Sequence, residues 1–496
     1  MKFEQPGPGG WMRLADHFPR ALTPEYQRLY AETCPVGMGT FMARYGVLAR
    51  TLDVAFVHGH LYITPVPLAG RREMRRPPPA PAVWLMSRLH PEFRRRTRAA
   101  RETLATRPWR AVNAEWFDVE RLRWQERNEA VAAVDPAAMS TADVVDHLRS
   151  CRSLAADGYR RHFELHGDDL LPIGLLITAC SRWGVDPATA MRALDGASPL
   201  SAGTVSPPAW QLVTGYDLDS LAWIELADRP APSAAREIRP LDLHSVVPVE
   251  HHPELDDLVD DARAAVPLRD DNGVLTGAWP MGLLRRAMLE AGRRLGLDDP
   301  GLAVELTVDE LVARLSGGDD PPISEIERRR TERAARSQLD APLRLGPPMA
   351  IPPLDALPRP LALIGAAQLA SADHMFGTPT PGTGIGIGAR SYTGRALVVD
   401  DPVAAFEMIE PGDVIITSAT SPSWNSILVH AGALVTSTGG LVSHAAVIAR
   451  ELDIPAVIGD TTAMNRIKTG TIVTVDPVRA VVAVSDVGGK RLVSQP

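Results

Sequence analysis

Between Thr438 and Gly459 the chain reads TGGLVSHAAVIARELDIPAVIG, in which a glycine pair leads through a serine to a histidine that opens an apolar-periodic run. Gly439 and Gly440 allow a tight turn and a close approach of backbone to ligand, and Ser443 is a favourable helix N-cap. Ala445, Ala446, Ile448, Ala449 and Leu452 recur three and four apart, so one face of the predicted helix packs while its N-terminus presents His444. The unpaired N–H groups and positive dipole end at that position favour an anion and disfavour imidazolium, keeping the ring neutral and nucleophilic near neutral pH. A neutral imidazole beside an anion-binding helix start has the equipment to accept a phosphoryl group. On the local pattern alone, the plain alternative is a capped or core histidine.

A second set of groups lies in RHFELHGDD, Arg161 to Asp169. His162 and His166 are four apart and share a helix face, with Arg160, Arg161, Asp168 and Asp169 beside them. Phosphoryl transfer to a hydroxyl needs a base near that hydroxyl and cations around the moving phosphoryl oxygens. His166 is the first candidate for the base and His162 the second; a solvated or core helix end is the alternative. The pair could also ligate a metal, but no further ligand spacing supports zinc, so no metal is expected. In LRDDNGVLTGAWP, Leu268 to Pro280, Arg269 could neutralise the phosphoryl group. Asp168, Asp270 and Trp279 are candidate substrate contacts; a capped loop before the next helix is as good a reading of Arg269, Asp270 and Asp271. Trp11, Trp183, Trp210 and Trp279 would either line a pocket for an apolar acceptor or belong to the core.

The elements that must position these groups divide the chain. Before residue 340 the pattern is mainly helical, with apolar residues at helical spacing over Thr141–Leu165, Pro187–Leu194 and Met281–Leu295, the last followed by Gly296. VAFVHGHLYITPV from Val54 predicts a small hairpin or sheet. From Arg71 to Arg110 arginine is dense, which suits a solvated helix face and a proline-stiffened loop, or docking of a phosphate-bearing partner. Residues 341–380 hold the proline-rich APLRLGPPMAIPPLDALPRP and the glycine-rich GTPTPGTGIGIGAR begins at Gly377, so this stretch is expected to be a linker. Those glycines follow no strand–helix unit, which argues against a dinucleotide loop. Beyond residue 381, strand-like runs from Arg395, Asp413, Ala433, Thr471 and Ala480 alternate with helical patterns near Ser423–Ala431 and His444–Leu452. The predicted fold class is α+β multidomain, with a helical domain over 1–340 and a small β/α domain over 381–496.

The His444 segment resembles the phosphohistidine signature of the swivelling domain in phosphoenolpyruvate-utilising enzymes, a family that includes phosphoenolpyruvate synthase, pyruvate phosphate dikinase and rifampin phosphotransferase. His444 falls on the phosphorylated histidine. The resemblance continues through Pro411–Thr436 (PGDVIITSATSPSWNSILVHAGALVT), Ile454–Gly459 (IPAVIG) and Gly470–Asp476 (GTIVTVD). Many members carry threonine two residues before the histidine, where this chain has Val442; the Leu441-Val442-Ser443 form looks closer to the rifampin phosphotransferase branch. WMRLADHFPRALTP (Trp11–Pro24), RHFELHGDDLLPIG and LRDDNGVLTGAWP resemble landmarks of the acceptor-binding region in that branch.

The resemblance implies a phosphotransferase component that moves a phosphoryl group from His444 to a hydroxyl of an organic small molecule, such as a natural product or antibiotic. The chain has no G-x-x-x-x-G-K-[ST] loop and no segment before Trp11 to hold an ATP-grasp domain. No cofactor is therefore expected to bind directly, and ATP and Mg2+ are expected to act through a separate ATP-grasp nucleotide-binding protein. Two other outcomes stay open: a dehydratase that phosphorylates a hydroxyl and then eliminates it, and a non-enzymatic phosphocarrier. With 496 residues, 45% hydrophobic, two or three domains are expected. A net charge of −8 points away from nucleic acid and anionic membrane. Cys34, Cys151 and Cys180 are few and scattered, and MKFEQPGPGG lacks the pattern of a secretory leader, so the expected location is cytoplasmic.

Overall fold

The computed structural model describes residues 1–15, 17–70, 78–197, 217–219, 240–347, 351–376, 384–420 and 424–484. They fall into two compact units, the first drawn from Met1–Ala179, Val205–Glu225 and His251–Leu369, the second from Cys180–Thr204, Leu226–Glu250 and Ala370–Pro496.

The first unit is mainly helical. Helix Pro24–Tyr45 has proline in its first turn and Gly46 in the left-handed conformation after its end, which is the expected asymmetry of helix termini. It packs on helix Thr141–Glu164, which starts from a capping box built by Ser140 and Asp143. Beside them lies a small antiparallel sheet in the order β2-β3-β1-β4, from β1 (Trp11–Arg13), β2 (Ala49–Val57), β3 (His60–Pro67) and β4 (Arg344–Leu345). The hairpin expected from Val54 is β2–β3, with Val57 opposite His60 across a two-residue turn in which both residues have positive φ.

The proline-rich stretch differs from the extended linker its composition suggested. Its Arg344–Leu345 forms the edge strand against Trp11 and Met12, and Leu345 is buried. Further on, residues Arg359–Phe376 form a helix with Leu361, Ile364 and Ala367 fully buried. Pro360 lies in the first turn, where a missing N–H removes no helical hydrogen bond, and the apolar spacing beyond it carries the helix. Composition read the prolines as stiffener, whereas Pro353 and Pro360 stand at helix starts and Pro342, Pro347 and Pro352 lie in irregular chain.

The second unit is built on β5 (Ile385–Ile387), β6 (Tyr392–Val398), β7 (Val414–Thr417), β8 (Ala433–Thr436), β9 (Ala456–Ile458), β10 (Ile472–Asp476) and β11 (Val481–Val484). Among the described residues they form one sheet in the order β11-β10-β6-β7-β8-β9-β5. The four central strands, β6 to β9, run parallel and the flanking ones antiparallel. Parallel strands need cover on both faces, hence the near-continuous apolar runs VIIT and ALVT, whose every residue is buried. Ala396, Val414, Ile416, Ala433, Val435 and Val457 make the centre of this core. The unit also takes chain from the middle of the sequence: the Leu241 N–H donates to the Arg192 carbonyl, and the Gly196 N–H donates to Glu451. The boundary therefore does not coincide with a single linker at 341–380. Among the described residues no helix is long and apolar enough to cross a membrane.

Candidate functional site

Helix His444–Glu451 follows β8 and packs on β5, β8 and β9, so His444 stands at the C-terminal edge of the parallel strands. That edge is where ligands bind in open parallel sheets. Ser443 is the N-cap, extended in backbone; its Oγ accepts from the Ala446 N–H at 3.4 Å and donates to the Gly440 carbonyl at 2.7 Å. Gly439 has φ +106°, and a Cβ there would lie 2.9 Å from Ser443 Oγ. Glycine is thus required by conformation and by space, and its job is to seat the capping serine. Gly439, Gly440 and Ser443 are all buried, with the serine hydroxyl committed to the turn and the cap. Val442, where many relatives of the resemblance carry threonine, is 1% exposed and belongs to the core.

The loop after β7 supplies what the sequence reading missed. Its backbone is tied to the loop after β8: the Ser437 and Thr438 N–H groups donate to the Thr417 and Ser418 carbonyls at 3.0 and 2.9 Å, and Thr438 Oγ1 donates to the same Ser418 carbonyl at 2.9 Å. Asp400, just after β6, accepts from the Ser418 amide at 2.8 Å and from the Ser418 hydroxyl. Held in this way, Thr420 Oγ1 lies 2.8 Å from His444 Nδ1 and Asn425 Oδ1 lies 2.9 Å from Nε2. His444 is half-buried, so the ring is fixed by two side chains without being sealed from solvent. The signal for Thr420 and Asn425 was present as a hydroxyl- and amide-rich run, TSATSPSWNS, placed between a buried strand and a short helix.

The second histidine cluster belongs to the first unit. Helix Thr141–Glu164 crosses the segment Gly273–Ala278 at Gly158, where any Cβ would run into the Thr276 carbonyl oxygen. One turn later His162 Nδ1 lies 2.8 Å from Asn272 Oδ1, and the His162 and His166 rings meet edge to face at 4.7 Å. Burial, with the neighbouring His166 adding to it, pushes the His162 pKa down to about 3, so this ring is neutral at any physiological pH. His166 starts helix His166–Arg182, and its Nδ1 is 3.4 Å from Asp169 Oδ2. Asp168 is fully buried and accepts from the Tyr45 hydroxyl; burial raises its pKa to about 7 against the opposing Tyr45 bond and Arg44 and Arg161. Asp168 Oδ2, Asp169 Oδ1 and Asn272 Nδ2 are buried without a hydrogen-bond partner among the described residues.

The structure brings His162, His166, Asp169 and Asn272 into one polar cluster, while the neighbouring Asp168 is bonded to Tyr45. Arg269 stands one turn before Asn272 on the same helix face, half-buried, and makes no ion pair among the described residues. Asp271 is buried 2.8 Å from Arg121 Nε, and burial raises its pKa. The side chain of Asp270 and the whole of Trp210 lie outside the described residues. Trp279 opens helix Trp279–Arg294 with no exposed surface, and Trp11 is 5% exposed, so both are core. Asn272 was not anticipated; it sits beside the polar LRDDN segment that was. Among the described residues no group of three His, Cys, Asp or Glu side chains could hold a metal ion.

Comparison with known proteins finds a family match over the segment that holds the first of these sites. Residues 409–479 match the family of PEP-utilising enzymes at its mobile domain. His444 lies inside that segment. An uncharacterised phosphotransferase, YvkC, of Bacillus subtilis is 41% identical over 104 residues, which are 21% of this chain and 12% of that protein. Phosphoenolpyruvate synthase of Escherichia coli is 48% identical over 92 residues, 18% of this chain and 12% of that protein. Chondramide synthase of Chondromyces crocatus is 39% identical over 132 residues, 25% of this chain and 3% of that protein. The chain thus spans only a small part of the length of the relatives it matches, and the family match covers residues 409–479.

Proposed function

We propose that this chain is a phosphotransferase component in which His444 carries a phosphoryl group and delivers it to a hydroxyl of an organic small molecule. The observation that carries the reading is the placement of His444: a half-buried imidazole at the capped start of a helix, inside the segment that matches the PEP-utilising mobile domain. The helix start supports the negative phosphoryl group, and the two loops fix the ring against rotation. The acceptor end is the cluster in the first unit. The Asp168, Asp169 and Asn272 atoms that lack partners among the described residues are what a polar ligand would meet, His166 is the base for the incoming hydroxyl, and Arg269 is a cation that makes no ion pair among the described residues. His162 stays neutral and serves as packing and support for His166.

The phosphoryl donor in this reading is ATP with Mg2+, used by a separate ATP-grasp protein. The similarity to a chondramide synthase supports an acceptor among natural products. The test uses ATP labelled at the β- or γ-phosphate, with and without host extract, followed by acid-labile label on the full chain and on His444→Ala. Label from the β position, dependent on extract and lost in the variant, supports the reading. Label that persists in His444→Ala, or none under any condition, overturns it.

A further inference from the structure

Both ring nitrogens of His444 are held by side chains of one loop, and the two holders differ in kind. Thr420 is a hydroxyl, able to donate or accept, 2.8 Å from Nδ1 and 7% exposed. Asn425 turns its amide oxygen to Nε2 at 2.9 Å and is only half-buried. A carboxamide oxygen can only accept, so this arrangement places the ring proton on Nε2 and directs the Thr420 O–H to the Nδ1 lone pair. In that state no lone pair of the ring faces the open side. The resting histidine is fixed in place, yet blocked as a nucleophile.

We propose that Asn425 is a two-position amide switch that controls when His444 can take a phosphoryl group, an inference that rests on the carrier reading above. With its oxygen toward Nε2, Asn425 holds the resting tautomer. A half-turn about the terminal side-chain bond presents the amide nitrogen instead, which is isosteric and costs the backbone nothing. The ring then carries its proton on Nδ1, donating to Thr420 Oγ1, and the Nε2 lone pair accepts from the Asn425 N–H until an arriving phosphoryl oxygen takes over that N–H and leaves the lone pair to phosphorus. Asn425 is well placed for such a turn, because the backbone around it is anchored by Trp424, Ile427 and Leu428, each 3% exposed or less. The reacting nitrogen is Nε2, since Nδ1 lies against the buried threonine. In the step itself the Nε2 lone pair forms a bond to phosphorus while the bond from phosphorus to the leaving group breaks, the leaving group keeping that electron pair. The ring retains the Nδ1 proton and gains positive charge, and the Asn425 amide N–H donates to a phosphoryl oxygen.

The experiment needs no partner protein. The full chain is treated with phosphoramidate, from which ammonia departs as the phosphoryl group moves, and 31P NMR reads the yield, the lifetime and which nitrogen is modified. Wild type is expected to give a phosphohistidine on Nε2 that is absent from His444→Ala. Asn425→Asp keeps the acceptor oxygen but cannot turn a donor inward and places a charge beside the phosphoryl oxygens, so its yield should fall about tenfold or more. Asn425→Ala should still be phosphorylated but lose the group several-fold faster. Nitrogen-15 spectra of the untreated wild type should show Nε2–H, whatever the fate of the variants. A signal that survives in His444→Ala defeats the carrier reading itself. A His444-dependent signal with wild-type yield in Asn425→Asp, modification at Nδ1, or a resting Nδ1–H ring defeats the switch.

Discussion

The two histidine sites solve opposite problems with the same side chain. His444 is half-buried at a helix start, with Thr420 2.8 Å from Nδ1 and Asn425 2.9 Å from Nε2. His162, also half-buried, is held by Asn272 and packed on His166, and desolvation pushes its pKa down to about 3, which keeps it neutral near pH 7. Around the first, polar groups are matched: buried Ser443 by Gly440 and Ala446, exposed Asp400 by Ser418 and Thr417. Around the second, buried oxygens and an amide nitrogen lack hydrogen-bond partners among the described residues. A site that holds a covalent group for delivery is complete without its cargo. On the proposed function, the second cluster leaves part of its hydrogen bonding to a ligand, at a cost of roughly 1–3 kcal/mol for each unmet group.

The comparison can be broken most sharply by exchanging losses. His444→Ala should abolish the acid-labile phosphoprotein entirely, whereas His166→Ala should leave it intact and remove transfer to the acceptor; loss of label in both would unite the two sites into one. Asp168→Asn addresses the cost directly. With its folded pKa raised to about 7 from 3.8, Asp168 binds more protons in the native state than when unfolded between those values. Its contribution is therefore fully present at low pH and is lost as pH rises through 7. Unfolding curves at pH 5 and pH 8 should show the variant gaining on the wild type by ~2–4 kcal/mol at the higher pH, while a pH-independent difference would remove Asp168 from the account. Gly158→Ala tests the close crossing that brings His162 to Asn272. Denaturant titration should show a loss of about 2–3 kcal/mol with the His444 label unchanged. The smallest effect belongs to Ser443→Ala, which removes the cap and its bond to Gly440 for about 1 kcal/mol in thermal unfolding of the carrier unit.

Much of the carrier unit was legible because parallel strands and capped helices leave local marks. Buried runs such as VIIT and ALVT announce strands, and Ser443 before an apolar stripe announces a helix. Strands β5 and β9 escaped because Ile385–Ile387 sits in a glycine-rich run and Ala456–Ile458 is only three residues long. The partners of His444 escaped for another reason: Thr420 and Asn425 lie 24 and 19 residues away and reach it only through strand order. In the first unit the spacing of His162 and His166 placed both on one face, but no pattern could show that Asn272 closes on them. The proline-rich stretch misled because composition does not distinguish a proline that stiffens a coil from one that starts a helix.

The mid-sequence residues that belong with the carrier unit bear on how such a unit can be inherited. Glu451, at the end of the His444 helix, accepts from the Gly196 amide, and Arg450 lies 3.5 Å from Asp195 while also donating to the Leu441 carbonyl next to the glycine turn. A cassette cut at residue 381 and grafted onto another host would carry the histidine, its cap and its loop, but would leave behind this brace on the far end of the helix. Modularity here stops short of the covalent boundary: exchange between lineages would favour donors and recipients that already share the 180–204 segment.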